Sequence, residues 1–313
     1  MEKEIYEICN IHNLGTILSF QAIKEGVINE NYIVNTTKET FFLKRCKNKS
    51  SEQIKYIWQV EQFMRKALIP AVEAVIIDEE KGWMIYPFVQ SDRSHSYDLK
   101  DYFIMGQMLG RIHMVSYGIE IPHYFKESFY RENIDRVSVT EKMKDHAKRI
   151  KQKETIDETD KLFLSYIDRK IIYAKKFDNI LLPANDTLIH GDFHPGNLLI
   201  DENSRDVIGV CDWEKTRYAP RSYDLARAYL YIGFGTDTDD TKECFEISES
   251  FLNGYRSVIQ ISDEDFKKGL LLRLQHNVFT SWIEDKYYLQ DDSRANKFIK
   301  NSILTLDYFL GHN

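Results

Sequence analysis

The sequence predicts an α+β fold in two lobes. Residues 1–90 form a small antiparallel β-sheet lobe with one helix, and residues 91–313 form a larger, mostly helical lobe. Three observations lead there. Short β-compatible runs crowd the first ninety residues. The polar stretch SDRSHS (91–96) then breaks the texture and reads as a linker. Beyond it, apolar residues recur at helical spacing, interrupted by one polar loop in LIHGDFHPGNLLI (188–200) and one strand, VIGVCDW (207–213).

The elements follow in order. ILSFQAI (17–23), NYIVNT (31–36) and TFFLKRC (40–46) are strands, with TKE closing a hairpin between the last two. SSEQIKYIWQVEQFMRKAL (50–68) has helical periodicity, a Ser start suited to an N-cap, and Pro70 just beyond its end. VEAVIID (72–78) and WMIYPFV (83–89) flank DEEKG as a second hairpin. In the helical lobe, YDLKDYFIMGQMLGRIHMVS (97–116) places Leu99, Phe103, Leu109, Ile112 and His113 close to one face. Residues 134–182 predict two helices, and helical pattern returns from residue 222 to the end.

The 313 residues are 43% hydrophobic and 29% charged, which is ordinary globular composition. Pro and Gly are sparse and no tract is of low complexity, which argues against long disordered linkers. The net charge of −7 argues against nucleic acid as the main partner. Residues 1–90 are nearly balanced, so the acidity lies beyond them. It reads first as solvated surface and alternatively as a pocket for a cationic substrate. No C-x-x-C pair, secretory-type start or run of eighteen apolar residues occurs, which predicts a reduced, cytoplasmic protein without a membrane partner.

Two patterns carry chemistry. On the helix at 50–68, Ile54, Ile57, Glu61, Met64 and Leu68 share a face. A carboxylate on an apolar stripe needs a cation, and Lys44 on the preceding strand is the expected partner. A strand lysine paired to a helix glutamate is how kinases hold ATP phosphates. The alternative leaves Glu61 at the wet edge of the stripe and Lys44 on the surface. In the polar loop, His190, Asp192 and Asn197 have the H-x-D-x-x-x-x-N spacing of a kinase catalytic loop. There the Asp accepts the substrate hydroxyl proton and the Asn holds Mg²⁺. Asp212, at the end of the next strand, is the expected second metal ligand. His190, Asp192 and His194 could instead form a zinc site, or the loop could be only a polar turn.

HGDFHPGN, the strand ending in CDWE, YDLAR, LGRIH, FFLK, the Glu61 helix and MIYPFV together resemble the aminoglycoside phosphotransferase, choline kinase and homoserine kinase group across roughly residues 15–310. The resemblance implies a protein-kinase-like two-lobe fold that moves the γ-phosphoryl group of ATP to a small-molecule hydroxyl. It implies Asp192 as catalytic base, Asn197 and Asp212 as Mg²⁺ ligands, and Lys44 on the α- and β-phosphates. The backbone near Tyr86, Phe88 and Val89 would receive the adenine edge. Asp224 in SYDLAR resembles a structural acid bracing the loop, and His190 a brace by hydrogen bonding.

The sequence departs from the protein-kinase pattern in the expected phosphate loop, residues 26–32, where only Gly26 is glycine and G-x-G-x-x-G is absent, a loop in which the resembled group is itself looser. His-Gly-Asp stands for His-Arg-Asp and Asp-Trp-Glu for Asp-Phe-Gly. Eleven residues between Asp212 and Asp224 leave little room for a peptide platform, which disfavours a protein substrate. An alternative function is a catalytically silent binding or structural protein of the same fold, as among spore-coat relatives. TSWIEDKYYLQDD (280–292) offers an acidic-aromatic wall suited to an amine, or a solvated helix face with buried aromatics. Glu214 could approach metal or substrate, or stay on the surface.

Overall fold

The computed structural model describes residues 2–23, 29–91, 96–126, 136–177, 183–201, 203–235, 240–286 and 297–311. Along the chain run α1 (Glu2–Ile11), β1 (Ile17–Ile23), β2 (Glu30–Thr36), β3 (Thr40–Arg45), α2 (Ser51–Lys66), β4 (Ile76–Asp78), β5 (Trp83–Pro87), α3 (Leu99–Met114), α4 (His123–Lys126), α5 (Arg136–Lys151) and α6 (Glu158–Ala174). They are followed by β6 (Thr187–Ile189), β7 (Leu198–Ile200), β8 (Val207–Val210), β9 (Arg217–Ala219), α7 (Arg221–Phe234), α8 (Thr241–Arg256), α9 (Asp263–Val278), α10 (Trp282–Glu284) and α11 (Lys297–Leu310). This is the mixed α+β class expected, with a small antiparallel sheet and a larger helical part. Two compact units result. The first comprises Met1–Ser96, Ile119–Phe129 and Gly196–Arg217, and the second Tyr97–Gly118, Tyr130–Pro195 and Tyr218–Asn313. No helix among the described residues is long and apolar enough to cross a membrane.

In the first unit the sheet order is β1-β2-β3-β5-β4, with antiparallel pairing at each step. Register separates its two faces. Tyr32 and Val34 on β2, Phe41 and Leu43 on β3, and Trp83 and Ile85 on β5 bury into one cluster. Ile5, Ile8 and Cys9 of α1 pack into the same cluster. The sequence reading assigned no element to residues 2–11, although these three follow the i, i+3, i+4 helical spacing. Burying such side chains stabilises the sheet by roughly 1.5–3 kcal/mol each. The opposite face of β3 carries Phe42 and Lys44, whose register partners on β5 are Tyr86 and Met84.

α2 begins where expected. Ser50 caps it, accepting from Gln53 N–H while the Gln53 side chain accepts from Ser50 N–H. The helix buries Ile54, Tyr56, Ile57, Val60, Glu61 and Met64. The strand expected at 72–78 is shorter, because its first part pairs elsewhere. Val210 N–H donates to Pro70 O (2.8 Å) and Val72 N–H to Val210 O (2.9 Å), which attaches the β7–β8 hairpin to this unit.

The second unit is built around α7, in which every residue except Tyr231 is buried. Such all-round burial marks a central helix. α3 and α8 pack closely because Gly106 and Gly254 have no Cβ. One added at Gly106 would run into Phe251 O, and one at Gly254 into Phe103 O. The face of α3 differs from the one read from periodicity. Leu99 is exposed, while Tyr102, Met105, Met108, Leu109, Ile112 and His113 are buried. The linker residues 92–95 lie outside the described residues.

Candidate active site

The first unit gathers most of the residues singled out from the sequence. β7 and β8 pair with Leu198 opposite Val210, so Asn197 and Cys211 face each other at the open end of the hairpin. Cys211 N–H donates to Asn197 O at 2.8 Å. Asp212 follows at once, with left-handed backbone (φ 63°, ψ 61°). That geometry is unfavourable for most side chains but tolerated by Asp, and it turns the chain sharply at the end of β8. Trp213 anchors the turn, fully buried and donating from Nε1 to Val210 O at 3.1 Å.

Lys44 Nζ lies 2.7 Å from Asp212 Oδ1 and 2.5 Å from Glu214 Oε1. Burial works against its charge. The two carboxylates more than offset this and hold the ammonium above its usual pKa. Asn29, at the start of β2, donates from Nδ2 to Glu214 Oε1 at 2.6 Å, and Lys49 approaches Glu214 Oε2 at 3.6 Å. Glu214 is therefore the organising acid of this cluster rather than a surface residue. Of the expected phosphate loop, residues 26–28 lie outside the described residues.

The expected Lys44–Glu61 ion pair is not formed. Glu61 is 1% exposed, accepts from Tyr86 Oη at 2.9 Å and from Ala74 N–H at 3.0 Å, and packs on its own side of the unit. Burial pushes its carboxyl up to about 8, so near neutral pH it offers Lys44 little charge, while Asp212 and Glu214 supply it. A pH signature follows. The folded pKa lies above the usual 4.5, so this stabilising contribution is fully present below pH 4.5 and is lost as pH rises to about 8. Glu61→Gln should flatten that segment of the stability profile by an amount on the order of a few kcal/mol. Urea unfolding at pH 5 and pH 8 measures it, and equal slopes in both proteins would contradict the buried neutral carboxyl.

Tyr86 is thus a partner of Glu61. Phe88 N–H donates to Thr40 O at 3.1 Å, and Phe88 is exposed at 37% while Val89 is half-buried.

The second unit holds Asp192. Its loop is fixed by Asp224 of α7, whose carboxylate accepts from His190 N–H and Gly191 N–H, both at 3.0 Å, and from His113 Nε2–H at 3.2 Å. Gly191 has φ 78°, a conformation that favours glycine. His113 Nδ1 meets Tyr255 Oη at 2.9 Å, so this histidine is a satisfied core imidazole. Asp192 N–H donates to His190 Nδ1 at 3.2 Å, and Phe193 is fully buried beside Phe251. The Asp192 carboxylate contacts Arg227 Nη2 through Oδ1. Sequence reasoning passed over Arg227. The available signal was its place three residues after Asp224, on the same helix face.

The string His190, Asp192, His194 does not form a metal cluster. His190 accepts from the Asp192 amide, His194 stacks on Tyr231 at 4.6 Å, and no three His, Cys, Asp or Glu side chains come together as a metal site among the described residues. Asn197 and Asp212 suit a different ion. One amide and one carboxylate are oxygen donors of the kind Mg²⁺ takes when phosphate and water complete its shell. Of the stretch 280–292, residues 287–292 lie outside the described residues. Glu284 is fully buried against Lys170 at 2.8 Å, and Asp285 meets His146 at 3.1 Å and Lys142 at 3.3 Å. These two acids therefore already have cationic partners within the helical part.

Solved structures that share this fold include small-molecule phosphotransferases and kinases. Spectinomycin phosphotransferase APH(9)-Ia, in complex with ADP and spectinomycin, superposes with a TM-score of 0.70 at 16% identity, covering 98% of this chain and 97% of that one. The same enzyme has also been solved with AMP. Choline kinase LicA from Streptococcus pneumoniae gives 0.60 at 17% identity over 99% of both chains. Plasmodium vivax ethanolamine kinase gives 0.56 at 15%, over 94% of this chain and 84% of that one. At these identities the likeness is one of fold. The sequence itself matches the model of the phosphotransferase enzyme family APH over residues 19–256, and the chain belongs to that family. The uncharacterized protein YcbJ of Bacillus subtilis (strain 168) is 38% identical over 56 residues. That match spans 18% of this chain and 18% of the relative's length.

Proposed function

We propose that this chain transfers the γ-phosphoryl group of ATP to a hydroxyl of a small molecule. The observation that carries the reading is the β7–β8 register, which sets Asn197 beside Cys211 and Asp212 while Asp212 meets the Lys44 ammonium. An ammonium and two oxygen ligands in one unit suit a metal-bound polyphosphate. In this reading residues 1–90 carry nucleotide binding, and residues 91–313 carry the catalytic loop and the acceptor site. Lys44 binds the α- and β-phosphates, and Asn197 and Asp212 hold Mg²⁺. When bound, the ion neutralises charge on the β- and γ-oxygens. Phe88 N–H already serves Thr40, so the adenine edge would meet the backbone at Val89. Asp192 accepts the acceptor's hydroxyl proton as the new P–O bond forms and the bond from the γ-phosphorus to the β–γ bridging oxygen breaks, releasing ADP. Catalysis of this kind is mainly positioning and charge stabilisation.

The test is ADP release from ATP and Mg²⁺ across spectinomycin, choline, ethanolamine and homoserine. One acceptor should raise the rate well above that in water alone. Lys44→Ala should weaken ADP binding by about 10–100-fold, as expected for losing a charge-assisted phosphate contact, and leave adenosine binding nearly unchanged. Equal loss for both ligands would contradict the phosphate role. Nucleotide binding without turnover on any acceptor would favour a silent binding protein of the same fold.

A further inference from the structure

We infer that Arg227 is a positioning residue for Asp192: its guanidinium fixes the orientation and the ionised state of the loop carboxylate. The inference rests on the reading of Asp192 as the group that receives the acceptor's proton. It is carried by geometry within the second unit. The Arg227 and Asp192 side chains are only 9% and 14% exposed and meet through Nη2 and Oδ1. Water therefore screens the pair weakly, unlike an ion pair on an open surface.

The placement of Arg227 gives the contact its use. One turn earlier on α7, Asp224 holds the loop backbone at His190 and Gly191. One face of one buried helix thus fixes both the loop's main chain and its carboxylate. One turn later, Tyr231 lies under the Arg227 guanidinium at 6.0 Å and stacks on His194 at 4.6 Å. Charged and titratable groups near Asp192 among the described residues include Arg227, Asp224 and Tyr231 on α7, with His190 and His194 in its own loop. Among these, Arg227 alone carries a permanent positive charge.

The chemical consequence is specific. A carboxylate beside a guanidinium is a weaker base, but it stays ionised over a wider pH range. Phosphoryl transfer through a loose transition state asks more for orientation than for base strength. A lysine would keep the charge and lose the planar fork that sets direction.

The experiment compares wild type, Arg227→Gln, Arg227→Lys, Asp192→Asn and the double variant Asp192→Asn/Arg227→Gln. The readout is ADP release from Mg²⁺ and ATP with the most active of spectinomycin, choline, ethanolamine and homoserine, or with water if none exceeds it. Arg227→Gln should lower kcat by about 10–100-fold with the KM for ATP within about twofold, as expected for lost orientation. It should also raise the acidic limb of the kcat profile by about one pH unit. Arg227→Lys should restore the position of that limb and only part of kcat. In the Asp192→Asn background, Arg227→Gln should cause no further loss.

An unmoved limb, an undiminished kcat, or full additivity in the double variant would overturn the inference. If Arg227→Gln does not fold, Arg227→Lys decides through kcat: a clear fall with the limb in place supports the inference, and an undiminished kcat overturns it. Failure of the underlying reading looks different, because Asp192→Asn would then leave turnover intact.

Discussion

Replacing Asp192 by Asn lowers kcat for phosphoryl transfer by about 10³-fold, within the range expected for loss of a positioned general base. ADP affinity stays close to wild type. The substitution keeps size and hydrogen-bonding shape and removes only the negative charge and the ability to take up a proton. The residues proposed to hold the nucleotide, Lys44, Asn197 and Asp212, belong to the other compact unit, where Lys44 keeps Asp212 and Asn197 keeps the Cys211 amide. Nor does the substitution disturb the loop's main chain. Asp224 still accepts from His190 and Gly191, and the residue 192 amide still donates to His190 Nδ1. Kinetics of ADP release beside calorimetric ADP titration separate the two quantities. Equal loss of binding and turnover would mean a folding or nucleotide-site defect. Retained turnover would remove Asp192 from the chemistry.

Local pattern made much of the fold legible. β1 matches its predicted span to the residue, β2 and β3 to within one residue, and the Ser start of α2 is its cap. Each rests on alternation or capping that neighbours in sequence dictate. α1 was overlooked because it is short, charged residues crowd its first half, and only Ile5, Ile8 and Cys9 mark its buried face. The site was legible as residue types in order, less so as partners. Glu61 was matched to Lys44 as the nearest plausible cation along the chain. In the fold the lysine's partners Asp212 and Glu214 arrive from a distant hairpin, brought in by main-chain bonds to Pro70 and Val72 that no side-chain pattern announces. Burial decides which carboxylate is held neutral and which can pair with the ammonium, and burial is a tertiary property. Arg227 was missed for a related reason. On a helix buried almost all round, polar residues stand out only once their partners are known.

Asp224→Ala destabilises the second unit by about 3–5 kcal/mol, the cost of removing one partner from a buried hydrogen-bonded charge cluster. At the size of this chain that corresponds to a fall in Tm of about 5–8 °C. Asp224 is fully buried and serves three donors at once: His190 N–H, Gly191 N–H and His113 Nε2–H. Alanine leaves two backbone amides and an imidazole without acceptors where water does not reach. Asp224→Asn should fall between the two, because one amide oxygen replaces two carboxylate oxygens. The pH dependence has a definite sign. Burial alone would raise this carboxyl, yet the hydrogen bond from His113, with His190 and Arg227 nearby, holds it below the usual 3.8. Its stabilising contribution is therefore present above pH 3.8 and is lost as pH falls through the lower folded value. Thermal scans at pH 7 and pH 3 should show the wild-type advantage over Asp224→Ala shrinking at the acidic end. A matched change at the exposed Lys161–Glu158 pair, Glu158→Ala, should move Tm little at either pH, because surface pairs contribute about 0–1 kcal/mol. If Asp224→Ala unfolds no more readily than that control, the brace is dispensable. Its effect on turnover would then have to come from the loop it shares with Asp192, which hydrogen exchange at His190 and Gly191 would show directly.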